Sequence, residues 1–226
     1  RDGLDALSRP GAAALPMTRV WPLLAGMMLL AALWLGPLPE MARRAFSPHM
    51  ILHLGVTLAA APLLAIGAIR LLPGHWRDGG QALAAALAVS ALDFVIVWGW
   101  HAPALHEAAA ASPIMFAIQQ ASFLGAGLAL WGTAFFGRSR RHAAAGALAM
   151  LLTSMHMAML GVLLVLAPRL LYAPQFCLGA FGLDPLADQQ LGGGLMALFG
   201  GGAAAIGGAV LALRLGGEAA EAQAGD

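Results

Sequence analysis

Six apolar runs leave this chain very little choice of fold. They cover roughly residues 20–38, 49–72, 81–100, 114–136, 143–167 and 192–214. Each is long enough to cross about 30 Å of hydrocarbon as a helix rising 1.5 Å per residue. In lipid the backbone must satisfy its own hydrogen bonds. The sequence therefore predicts an all-α, polytopic membrane protein, a bundle of six transmembrane helices. Composition agrees, with 60% of the 226 residues hydrophobic and only 10% charged. We expect an amino-terminal surface segment over 1–19, a transmembrane domain over 20–215 embedded in the lipid bilayer, and a carboxyl-terminal tail over 216–226. The first run has Arg19 before it and Met41-Ala42 after it, as a signal peptide would. Pro39-Glu40 at the possible cleavage region and five further runs favour an uncleaved anchor.

Arginine sets the expected orientation, because the chain has no lysine. Nine arginines fall on one side: Arg1, Arg9, Arg19, Arg70, Arg77, Arg138, Arg140, Arg141 and Arg214. Three fall on the other: Arg43, Arg44 and Arg169. The positive-inside rule then makes both termini cytoplasmic, and in a bacterial inner membrane the opposite face is the periplasm. The net charge of +1 offers no surface for nucleic acid. Cys177 is the sole cysteine, which excludes an internal disulfide and a cysteine-cluster metal site within one chain.

On this topology the polar residues gather at one end. His49 and His53, four apart, share a helix face in the outermost turns of the second run. His101 closes the third run after Trp98-Gly99-Trp100, with Asp93 about two turns deeper, and His106-Glu107 follow in the link. Gln119 and Gln120 lie near the start of the fourth run, His156 near the middle of the fifth, and Asp188 before the sixth. His75 and His142 lie beside arginines at the other end and read as solvated surface groups. A polar cavity open to the periplasm is the expectation. Ionisable groups are costly inside a bilayer, so such a cluster points to a site.

Each residue also has a plainer reading. Buried histidines can bond neighbouring helices, Asp93 can pair with one of them, and Gln119 and Gln120 can serve as interhelical glue. Methionine is a routine gap-filler. His156 and Met159 nevertheless share a face, and a thioether beside an imidazole suits a soft cuprous ion. The metal ligands we expect are therefore His49, His53, His101, His156 and Met159. Asp93, Asp188 and Gln120 would support them from behind, a carboxylate there fixing the imidazole tautomer. In the sixth run Gly200, Ala204 and Gly208 form a stripe of small residues suited to close helix packing, within the bundle or against a partner. The link over 168–191, with Tyr172, Phe176, Leu178, Phe181 and Leu183, is too apolar to extend into water and should fold back over the bundle end.

Several segments resemble a known family. They are His49-Met50-Ile51-Leu52-His53, Trp100-His101-Ala102-Pro103-Ala104-Leu105, Phe123-Leu124-Gly125-Ala126-Gly127 with Trp131, Ala167-Pro168-Arg169-Leu170-Leu171-Tyr172, and Pro185-Leu186-Ala187-Asp188-Gln189-Gln190-Leu191-Gly192-Gly193. In this order, over about 150 residues, they look like the bacterial CtaG-type assembly proteins of caa-type cytochrome c oxidases. The resemblance implies an assembly factor of a haem-copper oxidase that helps supply copper to its catalytic subunit, with His49, His53, His101 and Asp188 at the matching polar positions. Its implied partners are that subunit and other copper chaperones. Many relatives have a His in the fourth span where this chain has Gln119-Gln120, and Tyr or Asp where His106-Glu107 stand.

Two other functions remain open from the residues. A haem-binding electron carrier would use two facing histidines, for which His53 and His156 are candidates. A structural oxidase subunit would need no site. An enzyme has the least support: there is no Ser, Cys or Lys nucleophile set in a polar pocket and no phosphate-binding glycine loop. A hydrolase on His49, His53 and Asp188 would lack the Glu that membrane zinc hydrolases usually add.

Overall fold

The computed structural model describes residues 17–72 and 82–224. Among these residues there is no strand. The helices are α1 (Met17–Leu35), α2 (Leu38–Ala42), α3 (Phe46–Leu54), α4 (Ala61–Leu71), α5 (Ala82–His101), α6 (Pro103–Ala111), α7 (Pro113–Phe136), α8 (Arg140–Leu166), α9 (Pro185–Leu195) and α10 (Gly201–Ala224). A π-helical segment at Gly55–Ala60 joins α3 to α4, and another at Met196–Gly200 joins α9 to α10. Six helical stretches are long and apolar enough to cross a membrane: Met17–Leu35, Phe46–Leu71, Ala82–His101, Pro113–Phe136, Arg140–Leu166 and Pro185–Leu215. The six-helix architecture read from hydropathy is what the chain forms. Most of segment 1–19, together with His75 and Arg77, lies outside the described residues.

The sixth span corrects the sequence reading. Expected to begin near residue 192, it starts at Pro185, so Asp188 and Gln189 are helical and not part of a link. Asp184 starts it, its carboxylate accepting from the backbone N–H groups of Leu186 and Ala187, with Pro185 at the first helical position. The glycines permit close approach. A Cβ on Gly193 would stand 2.8 Å from the Gly161 carbonyl oxygen on α8, and one on Gly192 would stand 2.5 Å from Phe46. The stripe farther along serves the bundle itself. Ala204 is fully buried, and Gly200 and Gly208 face Met157 and Met150 of α8.

The second span is the hub. Over half of its most apolar stretch is buried, against 11% for the first. Directly after His53 its π segment widens the helix, and a π turn leaves a backbone carbonyl without its usual partner. Trp131 of α7 supplies one, donating its indole N–H to the Thr57 carbonyl at 2.9 Å, while the Thr57 hydroxyl donates to the His53 carbonyl at 2.9 Å. Two apolar clusters flank the span: one around Phe46, Met50, Phe123 and Tyr172, the other around Ala61, Leu130, Trp131 and Met150.

The link between α8 and α9 folds back over the bundle end, as its apolar content led us to expect. Leu171 N–H donates to the Gln189 side chain at 2.8 Å, Ala173 N–H to Glu107 at 2.9 Å, and Leu178 N–H to the Arg44 carbonyl at 2.8 Å. Arg43 Nε donates to the Ala110 carbonyl at 3.0 Å, closing the end of α6 beside it.

Candidate metal site

Four imidazoles converge beneath that link. His49 and His53 stand one turn apart on α3, His101 ends α5, and His106 sits on α6 past the break at Pro103. The His49 ring centroid lies 5.6 Å from that of His101 and 4.8 Å from that of His106, and His53 lies 5.4 Å from His101. The rings are 0 to 5% exposed. They do not line an open cavity, contrary to the expectation from sequence, because the link shuts them in. Tyr172 stacks on Phe46 at 4.9 Å and lies 4.3 Å from His106, and its hydroxyl donates to the His101 carbonyl at 3.0 Å. Phe123 closes the inner side, 4.0 Å from His53.

Hydrogen bonding leaves this cluster rich in free ring nitrogens. His101 Nδ1–H donates to the Val97 carbonyl at 2.6 Å, which fixes the tautomer and leaves a lone pair on Nε2. His101 Nε2, His49 Nε2, His106 Nδ1 and both nitrogens of His53 are buried without a hydrogen-bond partner. Each such group costs about 1–3 kcal/mol. Burial, with His101 beside it, pushes His106 down to about 3, so its ring is neutral at pH 7 and offers a lone pair.

The spacing suits metal ligation. A ring nitrogen about 2 Å from a metal sets its ring centroid about 3 Å away, so two ligand rings at trigonal or tetrahedral angles stand about 5 to 5.5 Å apart. The three separations above bracket that range. Among the described residues, no group of three His, Cys, Asp or Glu side chains is arranged to hold a metal ion as it stands.

The helix start that carries the pair is held from across the chain. Asp188 accepts from the backbone N–H groups of Phe46 at 2.7 Å and Ser47 at 3.3 Å, and from the Ser47 hydroxyl. It occupies the capping position that Ala45, with no acceptor in its side chain, cannot fill. A carboxylate there also meets the positive end of α3.

A family model described as cytochrome c oxidase caa3 assembly factor (Caa3_CtaG) matches residues 3–216. The chain belongs to this caa3 assembly factor family. Searches of curated proteins and of solved structures found no match. Membership carries with it a cytochrome c oxidase as partner and suggests a role in assembly rather than catalysis.

Of the ligands expected from sequence, this assembly factor brings His49, His53 and His101 together and adds His106. It leaves Met159 out: the side chain is half exposed on the outer face of α8. His156 is buried but turned to Asp93, its Nε2 3.1 Å from Oδ2, so Asp93 supports His156 and not the cluster. Asp188 meets backbone and serine, not an imidazole, because the nearest orphan donors are those of the α3 terminus. Gln120 donates to the Gln119 side-chain oxygen at 3.5 Å and, among the described residues, meets no imidazole. Sequence reading placed His106 at this end without a ligand role. Its signal was the spacing His101-x4-His106 around a proline, which turns the chain back over the rings.

Proposed function

We propose that this membrane protein binds a cuprous ion through His49, His53, His101 and His106 and passes it to the catalytic subunit of a haem-copper oxidase, in a bacterial inner membrane with the histidine end facing the periplasm. The observation that carries this reading is a chain of four buried imidazoles, His53 to His101 to His49 to His106, whose successive rings stand at ligand spacing and which carry unpartnered nitrogens. Neutral imidazoles suit cuprous ion, which accepts two to four such ligands. The surroundings exclude water, and Phe46, Phe123 and Tyr172 offer no competing oxygen ligand toward the rings except the Tyr172 hydroxyl, which is already committed to His101. Entry and release then require the link to lift. The bonds holding it are few, and the acceptors Glu107 and Gln189 flank the site. Ion transfer is ligand exchange, one imidazole at a time, to donors of the oxidase or of another copper chaperone.

A structural subunit without metal is the second reading, favoured by ligand atoms that do not converge as they stand. Oxidase isolated from cells lacking this protein and complemented with wild type or His101→Ala separates the two. The copper reading expects His101→Ala to give oxidase with normal haem and depleted copper, restored by excess copper in the medium. Full copper loading with His49→Ala and with His101→Ala would overturn it.

A further inference from the structure

A second polar feature opens to the lipid side of the bundle and not beneath the link. Between α5 and α8 a groove of about 750 Å³ opens on the outer face of the bundle, within the membrane-spanning stretches. Its wall includes Phe94 from α5 and Met155 and Met159 from α8, all of them 40 to 61% exposed, so the groove faces the hydrocarbon. Two polar side chains also line it, Ser90 at 4% exposure and His156 at 6%.

His156 is what an alkyl chain would leave unsatisfied. Its Nε2 is held by Asp93, which is 1% exposed and not part of the groove wall, while its Nδ1 is buried without a partner. With the imidazole neutral and Asp93 the acceptor, the proton lies on Nε2 and Nδ1 presents a lone pair. A partner for it must donate a hydrogen bond and must dissolve in lipid. Phe94 stands edge-on to the imidazole at 5.4 Å and 87°, and the thioethers of Met155 and Met159 are flexible enough to accept the face of a flat ring. The volume lies within the range of small-molecule pockets.

We propose that this groove binds a lipid-soluble quinol, a ring hydroxyl donating to His156 Nδ1 with the ring beside Phe94 and the tail in the bilayer. The reduced ring is selected because the oxidised ring carries only carbonyl acceptors, which face the Nδ1 lone pair without a proton between them. Asp93 positions His156 and does not touch the ligand.

The test uses the full chain in phosphatidylcholine nanodiscs under anaerobic conditions, with a decyl-benzoquinol, the matching quinone and the quinol dimethyl ether as probes. Equilibrium binding is measured against protein-free nanodiscs. Saturable uptake of one quinol per chain is expected, at least tenfold weaker for the quinone and for the dimethyl ether. His156→Phe should lose at least tenfold. Met159→Trp, which fills the groove from its exposed side and leaves the His156–Asp93 pair intact, should lose a similar factor. No saturable uptake above lipid partition overturns the proposal. Equal binding of quinol and dimethyl ether, or unchanged binding in Met159→Trp, does so as well.

Discussion

Asp188→Ala is the perturbation whose size can be worked out most fully. The substitution strips the acceptor from two buried N–H groups, at 2.7 and 3.3 Å, and from the Ser47 hydroxyl. Losing a helix cap costs about 0.5–2 kcal/mol. Hydrogen bonds to a charged partner contribute about 1.5–3 kcal/mol, and water cannot replace them at a fully buried position. The serine hydroxyl can rotate to another acceptor, so the expected loss is about 3–5 kcal/mol. Asp188→Asn keeps one oxygen in place and should lose about 1–2 kcal/mol. Denaturant unfolding in mild detergent, followed by tryptophan fluorescence, gives both values. Because His49 sits three residues past Phe46, the alanine variant should also bind copper more weakly than the asparagine variant. An alanine variant within about 0.5 kcal/mol of wild type, or an asparagine variant as damaged as alanine, would refute the capping role.

Three shorter predictions follow from the same packing. Burial, and then the charges of Asp188 and Glu107, pushes the Cys177 thiol up to about 12, so at pH 8 the folded protein should resist maleimide alkylation and react on unfolding; rapid labelling of native protein would show that the link does not lie over the bundle end. Gly161→Leu should disrupt the α8–α9 contact, since even a Cβ there would stand 2.6 Å from the Gly193 carbonyl oxygen; unfolding that matches wild type would contradict this approach. A cysteine at position 142, on the face opposite the histidines, should be inaccessible to impermeant reagents in intact cells, and labelling there would reverse the proposed orientation.

The six spans were legible because hydrocarbon thickness dictates the length of an apolar helix, and nothing in tertiary packing can override it. Helix ends were less so. Asp188 and Gln189 read as link residues, yet they lie within the sixth span, where the missing side chains of Gly192 and Gly193 let α9 approach Phe46 and α8. The histidine pair was legible from a spacing of four. His106 was not, because its place depends on how Pro103 redirects the chain. Asp188 showed that it mattered but not how, since its donors stand 141 and 142 residues away. His156 and Met159 do lie three apart on α8, but that helix has no apolar stripe to tell which way they point. Met159 points to lipid, while His156 is buried against Asp93.

The central claim is a copper site of imidazoles closed beneath the link, and direct titration tests it. Purified protein is titrated anaerobically with cuprous ion against a chromophoric chelator, for wild type, His49→Ala, His53→Ala, His101→Ala, His106→Ala and Met159→Leu. One ion per chain is expected for wild type and for Met159→Leu, with the histidine variants losing at least tenfold in affinity. No binding by the wild type, or equal binding by all six proteins, would contradict the account.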